Sequence, residues 1–243
     1  MAKVAKWEIS PPPNGLLLID KEQGITSHDV VAIARKQLKT KKIGHCGTLD
    51  PMATGLLMLV IGQATKRQDF LMADQKEYTA TVRLGQTTSS QDKESDIEEE
   101  KEVPDFSTEQ IQETFENFKG KFSQIPPMFS AIKKDGVRLY KLARKGIEVE
   151  RDPRPVEVFD YEVTRFEAPE LDFRVVSSKG FYVRTYAHDI GQHLGCGGHL
   201  NVLRRIRSGE FSVDNAMTVD ELRDSDRDSV IAKLIPLEQL IKE

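Results

Sequence analysis

One stretch of this sequence, Ile43–Ile61, combines a single carboxylate with the means to hold it still. It runs I-G-H-C-G-T-L-D-P-M-A-T-G-L-L-M-L-V-I, so Asp50 precedes a proline and an almost unbroken apolar run. The run Leu56–Ile61 is typical of a strand buried on both faces, and a loop joined to such a strand can position a reactive side chain. Pro51 favours an extended backbone at Asp50. A carboxylate held in this way can act as a nucleophile or a general base.

Two further side chains could complete a site around Asp50. Tyr78 begins a strand pattern with alternating apolar residues, and Arg184 lies in G-F-Y-V-R-T-Y near the start of a predicted helix. An arginine beside a carboxylate would keep it ionised and oriented. Spacing alone leaves the plainer interpretations open, which are a turn aspartate, a core tyrosine and a surface arginine.

Histidine and cysteine offer a second possible chemistry. The spacing His193-x-x-Cys196-x-x-His199 could supply three metal ligands. Zinc sites usually have a tighter C-x-x-C or H-x-x-x-H spacing, and the glycine-rich turn at 195–198 explains the local shape without a metal. The sequence contains neither a phosphate loop G-x-x-x-x-G-K-[ST] nor a serine elbow G-x-S-x-G. A metal site is therefore the less favoured interpretation.

Composition restricts the class of protein. The chain has 243 residues, of which 38% are hydrophobic and 30% charged, as expected for a globular protein with a substantial core. No apolar run approaches the ~20 residues of a membrane helix, and residues 1–13 lack the apolar core of a secretory signal. Two cysteines exclude a disulfide framework and favour a reducing, cytoplasmic setting.

Charge is distributed unevenly along the chain, whose formal net charge is −4. Residues 92–105 hold eight acids and two lysines, a net charge of −6, so the remainder carries +2. Basic residues cluster at 35–42, 133–145 and 204–207. A charge run is most often a solvated face, but three basic clusters in a formally acidic protein make a polyanion-binding surface plausible.

Hydrophobic periodicity predicts an α+β fold, because strands and helices are mixed without strict alternation. Strands are expected at 16–20, 56–61, 77–84, 156–166 and 171–177 and near Phe211, and helices at 28–39, 64–73, 108–118, 182–194, 199–206 and 219–223 and after Pro236. Ser27 is the expected cap of the first helix, and Ser107 with Gln110 forms a capping-box signature for the third.

The domain organisation is predicted to be simple, with a loosely held N-terminal arm, residues 1–13, before one domain, residues 14–243. Residues 86–106 are polar and acidic and are expected to form an extended, mobile loop. Residues 124–154 contain an Asp135-Gly136 turn and a basic amphipathic segment. They are expected to leave the core as a hairpin and helix that close over a ligand.

Ordered motifs along the chain resemble the TruB family, the bacterial tRNA pseudouridine synthases that act on uridine 55. Residues 44–57, G-H-C-G-T-L-D-P-M-A-T-G-L-L, are similar to the family pattern G-H-T-G-[ST]-L-D-P-x-A-T-G-[LM]-L. Four other segments agree in order, namely Lys21 with Gly24–Ser27, Lys76–Tyr78, Gly180–Thr185 and Leu194–Arg205. Cys46 stands where threonine is usual, and Glu22 stands where a proline is common.

The resemblance implies a pseudouridine synthase fold, with a mixed, largely antiparallel central sheet flanked by helices and loops. It implies isomerisation of one uridine in the tRNA T loop, in which the base leaves its ribose at nitrogen, turns, and rejoins through carbon. It also implies no cofactor and no metal, the tRNA T-arm as partner, no membrane, no obligatory protein partner and a cytoplasmic location. Residues 124–154 become an RNA-clasping insertion, and a separate C-terminal PUA domain is not expected.

Roles for individual residues also follow from the resemblance. Asp50 matches the essential carboxylate, which attacks either the ribose or the base. Tyr78 would stack on the target base and is the candidate for proton removal, and Arg184 would pair with Asp50. Three more residues are implied in support: Leu203 in the uridine pocket, His45 as a wedge where the extruded base had been, and Lys21 beneath the active site.

Three alternatives remain beside this assignment at the level of sequence. A guide-RNA-dependent synthase of the same fold would need partner proteins. An RNA-binding or chaperone protein would assist RNA folding without depending on Asp50. A metal-dependent nuclease or hydrolase is the most remote of the three.

Overall fold

In the computed structural model of this protein, residues 13–72 and 75–240 are described. The strands are β1 Gly15–Lys21, β2 Ile43–Cys46, β3 Thr54–Ile61, β4 Lys76–Leu84, β5 Gln86–Thr88, β6 Ile97–Glu100, β7 Gly120–Gln124, β8 Lys133–Lys134, β9 Val137–Arg138, β10 Arg154–Glu167, β11 Glu170–Ser177, β12 Gly198–Ser208, β13 Phe211–Ser212 and β14 Met217–Thr218. The helices are α1 Ser27–Leu38, α2 Gln68–Met72, α3 Thr108–Asn117, α4 Leu139–Ala143, α5 Val183–His193, α6 Val219–Asp224 and α7 Arg227–Ala232, with short 3₁₀ segments at Gly62–Arg67, Val213–Asn215 and Leu237–Leu240. The predicted arm at 1–13 lies outside the described residues except for Pro13.

The chain divides into two compact units, a first unit of residues 1–76 and 204–243 and a second unit of residues 77–203. In the first unit, β1 pairs parallel with β14 and antiparallel with β3. The other edge of β3 is shared, because β2 pairs antiparallel with its last four residues and β12 pairs parallel with Thr54 and Gly55. All of β3 except Thr54 is buried, as predicted from its apolar run.

Helix α1 begins one residue earlier than predicted, and its cap is Thr26 and not Ser27. The Thr26 hydroxyl accepts the Asp29 N–H at 3.1 Å, and the Asp29 carboxylate accepts the Thr26 N–H at 2.8 Å. Thr26 has the extended backbone that an N-cap requires, whereas Ser27 is already helical. The Ser27 side chain is therefore available for a contact outside the helix.

The second unit contains a sheet in the order β12, β4, β11, β10, β7, in which β10 pairs antiparallel with both β11 and β7. In β4 the alternate residues are buried, as the sequence predicts. Helix α3 has the predicted capping box of Ser107 and Gln110. An aromatic cluster surrounds Tyr186 of α5, with ring centroids 5.2–5.9 Å from its own, and consists of Phe115, Phe118, Phe173 and Phe181.

The prediction of a helix at 199–206 is wrong, since these residues belong to β12. The spacing of Leu200 and Leu203 also suits a helix, but pairing with the neighbouring strands decides the backbone. In the strand, Arg204 and Arg205 point to opposite faces, so Arg205 is buried while Arg204 is partly exposed.

Residues 86–106 are more ordered than the predicted acidic loop, because β5 and β6 form an antiparallel hairpin. The hydroxyls of Thr88 and Ser90 donate to Asp92, whose side chain is buried. These local bonds give the polar segment a structure that its composition did not indicate. In the 124–154 segment, the predicted hairpin and helix are present as β8, β9 and α4.

Smaller differences lie near the helix termini. The predicted helix at 64–73 is a 3₁₀ segment followed by α2, and the helix after Pro236 is also 3₁₀. Helix α7 was not predicted. The α+β prediction is confirmed, and the main sheet is mixed: β1 with β14 and β3 with β12 are parallel, whereas β3 is antiparallel to both β1 and β2. No helix among the described residues is long and apolar enough to span a membrane.

Candidate active site

Asp50 lies in the connection between β2 and β3, residues 47–53, which we call the Asp50 loop. The two strands pair antiparallel up to Cys46 and Met58, so both ends of the loop leave the buried core. Within the loop, the Ala53 N–H donates to the Asp50 carbonyl at 3.1 Å and closes a turn around Pro51. Asp50 itself is half-buried. The predicted arrangement, a carboxylate on a loop fixed to a buried strand, is confirmed.

Ser27 contacts the residue immediately before Asp50. Its hydroxyl accepts the Leu49 N–H at 2.9 Å and donates to the Leu49 carbonyl at 3.0 Å. Both residues are buried, so water does not compete strongly for these bonds. Helix α1 thereby holds the middle of the Asp50 loop.

Lys21 and the turn after β1 contact the residue that follows Asp50. The Lys21 ammonium is fully buried and donates to the carbonyls of Glu22 and Ile25 at 2.8 Å and of Pro51 at 3.4 Å. The Gly24 N–H donates to the same Pro51 carbonyl at 2.8 Å. A buried ammonium requires such acceptors, and here they join β1 to the Asp50 loop.

Arg205 links the start of the Asp50 loop to β3, the strand that follows the loop, and the sequence did not reveal this contact. Its side chain is 2% exposed, its Nε donates to the Leu56 carbonyl at 2.7 Å, and its Nη2 donates to the Gly47 carbonyl at 3.1 Å. Gly55 permits the close approach of β12, because a Cβ there would lie 2.2 Å from the Arg205 carbonyl oxygen. The signal that could have identified Arg205 is its place in a strand, where alternate residues face the interior.

His45 lies in β2, three residues before Thr48 and five residues before Asp50. Its ring is half-buried and meets the ring of His28 edge-on, with centroids 5.4 Å apart. Burial lowers the pKa of His45 first, and the nearby charges of His28 and Arg205 lower it further. The ring is therefore neutral at pH 7.

Cys46, the departure from the family pattern, is a core residue. Its side chain is 1% exposed and packs in the hydrophobic cluster around Met58. Burial raises the pKa of the Cys46 thiol to about 12. The thiol is thus protected from oxidation, although it lies next to the Asp50 loop.

Three of the predicted site residues belong to the second unit. Tyr78 in β4 is 7% exposed, and Leu203 in β12 is 6% exposed. Arg184 lies in the first turn of α5 and is also buried. Whether these three residues meet Asp50, His45 and Lys21 of the first unit remains a prediction.

Arg184 has a set of contacts within the second unit. Its guanidinium donates to the carbonyls of Phe129 at 2.7 Å and Ser90 at 3.2 Å, and it lies 3.4 Å from the Asp92 carboxylate. That carboxylate also accepts the Ser90 hydroxyl at 2.6 Å and the Glu94 N–H at 3.0 Å. Asp92 is 2% exposed, and the sequence placed it among the solvated acids of the predicted loop. The predicted pairing of Arg184 with Asp50 stays a prediction.

The histidine and cysteine spacing near residue 196 has local partners. His193 contacts the Asn117 amide, the Cys196 thiol contacts the Gly197 carbonyl, and His199 Nδ1 lies 3.1 Å from the Gln86 carbonyl. Within residues 13–72 and 75–240, no group of three or more histidine, cysteine or acidic side chains is arranged to hold a metal ion.

Known proteins resemble this chain along most of its length. The family model described as TruB family pseudouridylate synthase, N-terminal domain, matches residues 35–183, and the tRNA pseudouridylate synthase B C-terminal domain matches residues 184–242. The tRNA pseudouridine synthase B of Opitutus terrae is 49% identical over 226 residues, which cover 93% of this chain and 94% of that protein.

Solved structures give the same fold. A Cbf5-Nop10-Gar1 complex contains a chain that is 30% identical, with a TM-score of 0.71; the match covers 93% of this chain and 61% of that one. An H/ACA RNP bound to a substrate RNA containing 2'-deoxyuridine gives 27% identity and a TM-score of 0.66, covering 95% of this chain and 66% of that one. This chain therefore spans slightly less than two thirds of these two structural relatives. On the family match and the 49% identity, the chain belongs to the TruB family of pseudouridylate synthases.

Proposed function

We propose that this chain converts uridine 55 in the T loop of tRNA to pseudouridine, with Asp50 as the nucleophile, after flipping the base out of the loop. Family membership supplies the reaction class, the isomerisation of uridine to pseudouridine in tRNA. One observation carries the rest: hydrogen bonds from β12, α1 and the β1 turn hold the Asp50 loop at Gly47, Leu49 and Pro51. A nucleophile is effective when its position is fixed before the substrate arrives.

The reaction is redox-neutral and needs no second substrate. The bond between ribose C1′ and base N1 breaks, the base rotates, and a bond forms between C1′ and C5. The C5 proton is lost and N1 gains a proton, so the atoms balance. The Asp50 carboxylate forms a transient covalent bond to the ribose or the base and is released at the end.

Tyr78, Leu203 and Arg184 complete the proposed site. Tyr78 is proposed to stack on the uracil and to accept the C5 proton, while Leu203 packs against the base. Both are mostly buried, which suits a pocket that excludes water. Arg184 is proposed to pair with Asp50, and its bonds to Ser90 and Phe129 support this by fixing the guanidinium in advance.

His45 and Lys21 are proposed to act on the RNA and on the loop, respectively. Removing a base from a folded loop costs a few kcal/mol, and a planar group that fills the vacated place offsets part of that cost. The neutral ring of His45 can stack in this way. Lys21 acts from beneath, through its bond to Pro51.

Exposed basic side chains are proposed to hold the tRNA backbone. Lys36 lies near the end of α1, and Lys133, Lys134 and Arg138 lie on the β8–β9 hairpin; all four are exposed. Such contacts make affinity fall steeply with salt.

We predict that residues 124–154 are mobile alone and ordered by RNA, so protease cleavage there should slow when tRNA binds. Cleavage at the same rate in both states would contradict this. A cytoplasmic location belongs to the same proposal.

A second candidate, a guide-RNA-dependent synthase, is favoured by the similarity to a chain of a Cbf5-Nop10-Gar1 complex. It predicts no conversion of bare tRNA by the isolated chain. Conversion of bare tRNA would eliminate it. An RNA chaperone function predicts that Asp50→Asn leaves both RNA binding and the cellular phenotype intact. Because the synthase also predicts intact tRNA binding, the cellular phenotype of Asp50→Asn separates the two.

The experiment is base-by-base mapping of pseudouridine in an unmodified tRNA transcript, incubated with the purified chain and no added cofactor. Asp50→Asn is compared with Asp224→Asn, which makes the same change at an exposed carboxylate. We expect wild type and Asp224→Asn to convert uridine 55 and Asp50→Asn to convert none. Conversion at another uridine only would refute the proposed position, and full conversion by Asp50→Asn would refute the proposed nucleophile.

A further inference from the structure

We infer that Ser27 is a positioning residue for the reaction, whose hydroxyl fixes the backbone of Leu49 and thereby the place of Asp50. The inference rests on the proposed function for the role of Asp50. Ser27 is 1% exposed, and its hydroxyl makes two bonds to one residue, accepting the Leu49 N–H and donating to the Leu49 carbonyl. Because the carbonyl of Leu49 belongs to the peptide group that joins Leu49 to Asp50, this pair of hydrogen bonds fixes the position of the peptide group that precedes Asp50.

The place of Ser27 in its helix does not explain its hydroxyl. Thr26 already caps α1 in a complete capping box with Asp29. At the first helical position an alanine is well accepted, because a good helix former needs no side-chain oxygen there. The contact that uses the Ser27 oxygen therefore lies outside the helix, on the Asp50 loop.

The other hydrogen bonds to the Asp50 loop hold it on either side of Leu49, and Ser27 holds Leu49 itself. Arg205 holds the loop at Gly47, and Gly24 with Lys21 holds it at Pro51. Ser27 holds Leu49 between these two points. Leu49 is itself 3% exposed, so its N–H and carbonyl would be costly to leave unpaired.

Ser27→Ala leaves those two buried backbone groups without the hydroxyl, and the loop must shift to satisfy them. A displacement of about 1 Å at a reacting group can cost on the order of 10²-fold in rate. We expect the single-turnover rate constant for pseudouridine formation to fall about 10- to 100-fold. The Kd for tRNA should stay within about threefold of wild type, since neither Ser27 nor Leu49 faces solvent.

Thr26→Ala is the matched control for stability. It removes the cap of α1 but leaves the Ser27 hydroxyl in place. We expect a lower melting temperature with a rate constant within about twofold of wild type. Ser27→Thr retains the hydroxyl and should restore the rate constant to within about fivefold of wild type.

Amide hydrogen exchange gives a readout that does not depend on activity. The Leu49 N–H should exchange faster in Ser27→Ala than in wild type, while the amides of β3 remain protected. The inference is overturned if Ser27→Ala keeps the wild-type rate constant, if Thr26→Ala loses as much rate as Ser27→Ala, or if Ser27→Thr is as slow as Ser27→Ala. Should Ser27→Ala yield no folded protein, Ser27→Cys, a weaker hydrogen-bonding group, is held to the same rate and Kd criteria.

The proposed function and the positioning role of Ser27 can be refuted independently of each other. Turnover by Asp50→Asn would remove the nucleophile and with it the reason for positioning. An inactive Asp50→Asn together with a fully active Ser27→Ala would leave the proposed function intact and refute the positioning role alone.

Discussion

Neighbouring arginines on β12 should differ sharply in their contribution to stability. Arg205 is buried and donates to the carbonyls of Gly47 and Leu56. Arg204 makes a bidentate ion pair with Asp20 at 2.7 and 2.9 Å, but the two side chains are 37% and 26% exposed. Replacing each arginine by methionine removes the charged group and keeps an unbranched side chain of similar length.

The magnitudes follow from burial. Each hydrogen bond from a charged donor contributes about 1.5–3 kcal/mol, so Arg205→Met loses about 3–6 kcal/mol of interaction. Part of this lost interaction energy is offset, because the variant no longer carries the desolvation cost of a buried guanidinium. The net loss in the free energy of unfolding is about 2–4 kcal/mol. The exposed pair of Arg204 contributes about 1 kcal/mol or less. In a chain of this size each kcal/mol corresponds to about 2–4 °C in melting temperature.

Thermal unfolding by calorimetry measures both variants side by side. We expect Arg205→Met to melt roughly 4–16 °C below wild type and Arg204→Met within about 4 °C of it. Arg205→Lys should fall closer to Arg205→Met than to wild type, because one ammonium does not reproduce the fixed fork of a guanidinium. Equal shifts for the Arg204 and Arg205 methionine variants would refute the assignment of Arg205 as the link between the start of the Asp50 loop and β3.

Three further predictions concern titratable groups away from the Asp50 carboxylate. Tyr186→Phe should leave the free energy of unfolding unchanged or raise it by up to about 1 kcal/mol, because the buried Tyr186 hydroxyl has no hydrogen-bond partner among the described residues. A decrease of more than about 1 kcal/mol, measured by urea unfolding, would contradict this. Burial raises the pKa of Asp189 to about 6, so the folded protein favours the protonated side chain. The free energy of unfolding therefore includes a contribution from Asp189 that is fully present below about pH 4 and is lost as the pH rises through about 6. Asp189→Asn should be more stable than wild type at pH 7 by on the order of 1 kcal/mol after solvent screening, with no gain at about pH 3.5. Cys46 should resist alkylation at pH 8 until the protein is unfolded, because burial raises the pKa of its thiol to about 12; rapid labelling of native protein, located by peptide mass, would contradict this.

The sequence predicts the local structure around Asp50 well because its signals are local. The apolar run of β3, the Asp50-Pro51 pair and the alternation of β4 each depend on neighbouring residues only. The capping box of α3 is equally local, and it is present. The family resemblance adds predicted roles for Tyr78 and Arg184, which spacing alone leaves open and which stay predictions.

The contacts of Ser27 and Arg205 with the Asp50 loop are absent from the sequence prediction because they span long distances in sequence, whereas Lys21 was expected from the family resemblance. The sequence predicts a local role for Ser27 as a helix cap, whereas its bonds go to Leu49, 22 residues away. Arg205 binds carbonyls 149 and 158 residues away. Asp92 was counted among solvated acids, although it is buried beside Arg184. Tertiary contacts of this kind leave no periodic signal in a single sequence.

The strand β12 illustrates the same limit for secondary structure. Its leucine and arginine spacing is compatible with a helix, and the pairing of β12 with its neighbouring strands selects the strand. That selection determines the contacts of the Asp50 loop, because it turns Arg205 inward and Arg204 outward.

The most direct test of Asp50 as the nucleophile is the single-turnover rate of pseudouridine formation at uridine 55 with wild type, Asp50→Asn and Asp224→Asn, measured alongside the Kd for the same tRNA. We predict that Asp50→Asn binds tRNA with a Kd close to that of wild type and forms no detectable pseudouridine, while Asp224→Asn matches wild type in both. Pseudouridine formed by Asp50→Asn at the wild-type rate would contradict the claim that the Asp50 loop carries the nucleophile.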